Sequence, residues 1–210
     1  MAGGTAKRPY RTSPHVEQAR ADRREAAARA VESAALNLFE LHGFDAVTAG
    51  DIANAAGISI RTFYRYFPTK DDLLRAGVRR RAQAIATALA ARAADEPPMR
   101  SIRWAVHDVV AAEDTTDVAR WIRISMVSPA ASNVMLGINV LELNAVLGDF
   151  LSTRLGTARD SLQPTMLAVA AAAVMIAAHA RWSFHGGDLA TMLSDALAVL
   201  DAIPPNAADI

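Results

Sequence analysis

Apolar residues recur at helical spacing along nearly the whole chain, and no alternating run is long enough to read as a strand. Over 22–41, Ala27, Val31, Ala34, Ala35, Leu38 and Phe39 share one side of a helix that His42 and Gly43 close. Thr48 can cap a short helix carrying Ile52, Ala53 and Ala56. Gly57 then stands where a tight turn needs a positive φ. Ser59 caps a second short helix whose buried side is Phe63, Tyr66 and Phe67, and Pro68 stops it. A long helix follows with Thr69 as its cap, Asp71 and Asp72 in its first turn, and Leu73, Leu74, Val78, Ile85 and Leu89 along it towards Ala94. Five more helices are expected over 99–112, 116–127, 132–155, 162–185 and 189–203. The fold class is therefore all-α.

The stretch 48–70 carries the most specific pattern. Two short helices meet at Gly57, and Ala53 is small enough to let the second cross close to the first. That is the helix-turn-helix arrangement, whose second helix lies in the major groove of DNA. Its outward positions, Ile60, Arg61, Thr62, Tyr64 and Arg65, offer apolar, guanidinium and hydroxyl groups to base edges and phosphates. With the preceding helix, this makes a DNA-binding head over 22–68 and leaves 69–203 as a helical body for ligand binding and dimerisation.

Composition narrows the class further. None of the 210 residues is cysteine, which excludes a disulfide scaffold, a thiol nucleophile and thiolate metal sites. No N-terminal signal is visible, and the longest apolar run, 166–178, is too short to span a bilayer. A soluble cytoplasmic protein without a membrane partner is expected. The net charge of zero hides an asymmetry: residues 1–81 hold 14 Lys and Arg against 9 Asp and Glu, residues 82–210 hold 8 against 13. A basic head on an acidic body suits DNA binding by the head alone. Residues 1–21, with Gly3, Gly4, Pro9, Pro14 and four basic side chains, read as a flexible basic arm. It is either a solvated tail or a minor-groove probe. Residues 204–210 read as a loose tail.

In the body, Ala168, Ala171, Ala172, Ala177 and Ala178 would let a facing helix approach closely, and Leu193, Ala196, Leu197 and Leu200 form a stripe on the last helix. These either build a four-helix interface between two subunits or pack inside one chain. An apolar pocket with a few polar anchors is sought among Trp104, His107, Trp121, Asn139, Met175 and His179, while Trp182 and His185 are candidates for the dimer seam. Phosphate-binding glycine loops, His-x-x-x-His pairs and Gly-x-Ser-x-Gly elbows are lacking, so no catalytic residue, metal or cofactor is expected.

Over about 27–74 the segments LFELHGFDAVT, DIANAAGIS and RTFYRYFPTKDDLL, followed by an all-α body, resemble the TetR family of bacterial transcriptional regulators. The resemblance implies a homodimer joined through the last two helices, bound to a palindromic double-stranded operator and released by a small-molecule effector. It places Thr48, Tyr66 and Lys70 on phosphates and Ile60, Arg61, Thr62 and Tyr64 on bases and phosphates. Ala49-Gly50 departs from the longer polar residues common there, and so shifts the burden of base reading to the second helix. The alternative is a small all-α carrier or enzyme without specific DNA binding.

Overall fold

Helix follows helix through residues 14–202, the part of the chain that the computed structural model describes. The head holds α1 (Pro14–His42), α2 (Ala49–Ala55) and α3 (Ile60–Tyr66), and α4 (Asp71–Ala90) leads out of it. The body holds α5 (Pro98–Ala111), α6 (Thr116–Val127), α7 (Pro129–Leu155), α8 (Leu162–His185) and α9 (Leu189–Ala198), which ends in a 3-10 turn over Val199–Ala202. Among the described residues there is no strand.

One boundary differs from the sequence expectation for a clear reason. Residues 14–21, assigned above to a flexible arm, form the first two turns of α1. Their polarity suggests disorder, yet Glu, Gln, Ala and Arg are all good helix formers. Gln18 also donates to the Asp22 carboxylate four residues on, at 2.9 Å. The rest of the expected arm, 1–13, and the expected tail, 204–210, lie outside the described residues.

The head core is built from Val31, Ala35, Leu36 and Phe39 of α1, Ile52 and Ala53 of α2, and Phe63 of α3, with Leu73 and Leu74 of α4 beneath. Phe44, in the loop after α1, meets Phe39 at 4.9 Å between ring centroids. This core does not stop at the end of the head. Ile124 of α6 and Ala131 of α7 belong to the same buried cluster, and the Trp121 ring stands edge-on to Phe39 at 5.9 Å. Head and body therefore share packing across the α1–α6 junction.

The body core is separate, and its small residues set its geometry. Ala168, Ala171 and Ala172 of α8 are buried, which lets α7 and α9 approach α8 on either side, while α5 packs along α9. α7 and α8 are each long and apolar enough to cross a membrane by length and composition, so the short run 166–178 understated them. Each nevertheless places one face, Leu143, Leu147 and Leu151 on α7 and Ala171 and Met175 on α8, in the body core.

Candidate functional site

The turn between α2 and α3 is built by its capping residues. The Thr48 hydroxyl accepts from the Asp51 backbone N–H at 3.2 Å, while the Thr48 N–H and Oγ1 both donate to Asp51 Oδ2, at 2.8 and 2.6 Å. These bonds hold the Asp51 carboxyl below its ordinary range. Gly57 sits at φ +68°, a conformation other residues rarely adopt, and Ile58 N–H closes the corner on Ala53 O at 3.0 Å. Ser59 then accepts from Thr62 N–H at 3.1 Å and starts α3.

α3 buries Phe63 and turns Ile60, Arg61, Tyr64 and Arg65 outwards. Tyr64 stands edge-on against Phe63 at 5.5 Å, so its ring is oriented from below while its hydroxyl end is exposed. Arg65 lies over the Tyr66 ring at 5.0 Å and donates to its hydroxyl at 3.3 Å, leaving the Tyr66 proton available for a phosphate oxygen. The Thr62 hydroxyl is held against Ser59 Oγ at 2.9 Å. Thr48, assigned to phosphate by resemblance, has its hydroxyl proton on Asp51 and would have to release it to reach DNA.

Lys70 departs furthest from its expected role. Its ammonium points back into the head, donating to Phe44 O at 2.6 Å and Val47 O at 3.0 Å, and stands 4.2 Å from the centre of the Phe44 ring. At most one of its three protons remains for a phosphate. Its first job is to tie the loop before α2 to the start of α4. Lys70→Met should therefore lower unfolding stability by about 2 kcal/mol, two carbonyls losing a charged donor. Equilibrium urea denaturation checks this; a change in DNA affinity with unchanged stability would return Lys70 to the phosphate backbone.

A cavity of about 590 Å³ opens between the head and the body. Its wall comes from α1 (Glu32, Ser33), α4 (Leu74, Val78, Arg81), α6 (Trp121, Ser125), α7 (Met135, Asn139) and α8 (Met175, His179). Trp121, Asn139, Met175 and His179, four of the expected pocket residues, line it. Trp104 and His107 do not. They pair with each other on α5 at 5.4 Å between rings, and His107 Nδ1 lies 3.2 Å from Asp108 Oδ1. Their shared helical face was legible, but α5 packs on α9 and turns that face away from the cavity. Trp182 is buried and donates from Nε1 to Gly187 O at 2.9 Å, so it closes the α8–α9 turn instead of forming a seam.

The charged part of the cavity wall was missed. Arg80, in the run Arg79-Arg80-Arg81 of α4, reaches Glu32 of α1 through two bonds at 2.7 and 2.6 Å. Arg81 grips Glu113 at 2.9 and 3.0 Å. Nothing in the sequence pairs these residues, which lie 48 and 32 positions apart.

Two apolar surfaces on the last helices also separate in the structure. Leu193 and Leu197 are fully buried within the chain, and Ala168, Ala171, Ala172 and Ala178 are buried too. These positions of the two stripes pack internally, while Ala177 stays exposed. A different face of α8 is left uncovered: Leu162, Met166, Val169, Ala173, Ala177 and Phe184 follow one another at helical spacing and are all exposed, Met166 by 60% and Phe184 by 65%.

The model described as bacterial regulatory proteins of the tetR family matches residues 33–76, and the MftR C-terminal domain model matches residues 96–204. A Mycobacterium tuberculosis protein described as putative mycofactocin biosynthesis transcriptional regulator MftR is 41% identical over 51 residues, which is 24% of this chain and 26% of that protein. The match thus spans about a quarter of that relative's length. Among solved structures, NalD of Pseudomonas aeruginosa, the secondary repressor of the MexAB-OprM multidrug efflux pump, has a TM-score of 0.55 at 17% identity, over 86% of this chain and 96% of that one. The fatty acid degradation regulator FadR of Bacillus halodurans has a TM-score of 0.54 at 14% identity, over 82% and 93%. These two likenesses concern the fold.

Proposed function

Because the chain belongs to the TetR family of bacterial transcriptional regulators, we propose that it is a homodimeric, effector-released repressor acting on a palindromic operator. The family is one of regulators and not of enzymes. The observation that carries the proposal is the double role of Trp121, which lines the cavity on one side and packs on Phe39 of the head core on the other. A small apolar or amphipathic molecule in the cavity pushes on the same ring that supports the head. Leu74 also belongs to both the cavity wall and the head core. A population shift between two head separations then follows from differential binding, carried where α6 meets α1. We place the protein in the cytoplasm, where the operator is.

The exposed α8 stripe supplies the surface for a second copy, packed as a four-helix interface. Two α3 helices then reach half-sites one turn of DNA apart. Operator reading rests on Ile60, Arg61, Thr62 and Tyr64, with Tyr66 and the hydroxyl of Thr48 at phosphates.

Selection of bound fragments from a genomic pool tests this directly. A palindromic motif with half-sites about one helical turn apart is expected. One matched model, over 96–204, and one relative, matched over about a quarter of its length, carry the MftR name, so sites upstream of mycofactocin biosynthesis genes are the first place to look. Salt-sensitive binding without any enriched motif would overturn the proposal. On the selected operator, Arg61→Ala should cost about 1–3 kcal/mol and relax preference at one or two base positions. Uniform weakening at every position would move Arg61 to the phosphates.

A further inference from the structure

Three polar side chains of the cavity wall are arranged with one sense. His179 Nδ1 lies 2.7 Å from Met175 O, one turn back on α8. A carbonyl can only accept, so Nδ1 carries the ring proton and Nε2 is left as a bare acceptor. That Nε2 has no partner in the protein and is shut off from water-sized groups on every side, so a donor meets it as the ring shifts towards the cavity that His179 lines. Burial, with the nearby Arg81 charge second, pushes the His179 pKa down to about 4, so the ring stays neutral.

Asn139 and Ser125 repeat the pattern. Asn139 Nδ2 donates to Met135 O at 2.8 Å, which fixes the amide orientation and turns its carbonyl oxygen away from its own helix. The single Ser125 proton goes to Ile122 O at 2.7 Å. Three side chains on three helices thus give a donor to their own backbone and keep an acceptor. Charge offers little to an anion, because the arginines in the wall are already paired: Arg29 with Glu25, Arg80 with Glu32, and Arg81 with Glu113.

From this geometry we infer that the effector is an uncharged, largely apolar molecule that donates a hydrogen bond, through a hydroxyl or N–H, to His179 Nε2. The inference rests on the cavity being the effector site, as proposed above. A buried acceptor left without a donor penalises any ligand that merely fills the space. An anion placed there would have to break an existing ion pair. An ammonium seated at His179 would lie in the field of Arg81, which already acts on that ring, although Asp114 and Asp117 elsewhere in the wall would attract it. A phenol or alcohol meets all of these conditions.

Titration calorimetry on the full-length protein with para-octylphenol, its methyl ether para-octylanisole, and decanoate tests the inference. The phenol should bind about tenfold or more tightly than the ether, since the two differ chiefly in the donor. In His179→Phe the preference should fall to within about twofold. A second readout does not need the variant to fold: the nitrogen NMR signal of the unprotonated His179 Nε2 in the native protein should shift with the phenol and not with the ether. Ether or decanoate binding as tightly as the phenol would overturn the inference and leave the effector site standing. Binding by none of the three would remove both.

Discussion

A protein carrying Val169→Asp is expected to be monomeric and to lose operator affinity by about 100- to 10,000-fold. Val169 lies in the middle of the uncovered α8 stripe, one turn from Met166 and from Ala173. In a two-fold interface each substitution appears twice, and facing helices bring both carboxylates into apolar surroundings without a cation. The dimer then dissociates, because an isolated charge is far cheaper in water. A single head retains its own contacts but loses the gain from engaging two half-sites on one molecule. Leu41→Asp, on an exposed side chain at the end of α1, serves as the control and should leave the dimer intact. Sedimentation velocity and operator titration measure the two effects. A Val169→Asp protein that remains dimeric would remove this face of α8 from the interface.

The same helix shows why periodicity alone does not say which of its faces a second subunit would take. Alanine enrichment over 166–180 correctly signals close helix approach, but the partners are α7 and α9 of the same chain. Leu193 and Leu197 form an authentic stripe, buried by α5. A helix with one small-residue face and one large apolar face offers two packing surfaces, and sequence spacing does not say which partner takes which. The head was easier, because its partners are close in sequence: Thr48 with Asp51, Ser59 with Thr62, and Gly57 at its positive φ all act within a few residues. Lys70 has contacts that sequence spacing does not show, for the opposite reason. Its two carbonyl partners lie 26 and 23 residues back, so a position that looks exposed by spacing is tied inwards by tertiary structure. In the cavity, Trp121 and His179 could be named as apolar-face polar or aromatic residues, while Arg80 and Arg81 could not, since their carboxylates come from α1 and from the turn after α5.

Arg120→Ala is expected to keep effector binding while abolishing most of the release it causes. The Arg120 guanidinium joins body to head. From α6 it holds Glu40 of α1 at 3.0 and 2.7 Å and Asn37 at 2.6 Å, with Asp117 of its own helix at 3.0 Å. It stands next to Trp121, so a shift of the cavity wall is transmitted to the end of α1 through a charged clamp as well as through the Phe39 ring contact. Without the clamp, α6 can follow the effector while α1 stays in place. The weakening of operator affinity by saturating effector, of the order of 5- to 150-fold in allosteric proteins, should fall to about twofold. Acid should imitate the substitution in part. The hydrogen bond from Arg120 holds the Glu40 carboxyl below its ordinary range, so the clamp's contribution is full above that range and is lost as pH falls through the lowered value. The measurement is operator affinity with and without the effector identified by operator release, for both proteins, alongside effector affinity by calorimetry. Undiminished release in Arg120→Ala would leave Trp121 and Leu74 as the coupling route. Lost effector binding would mean that the clamp shapes the cavity itself.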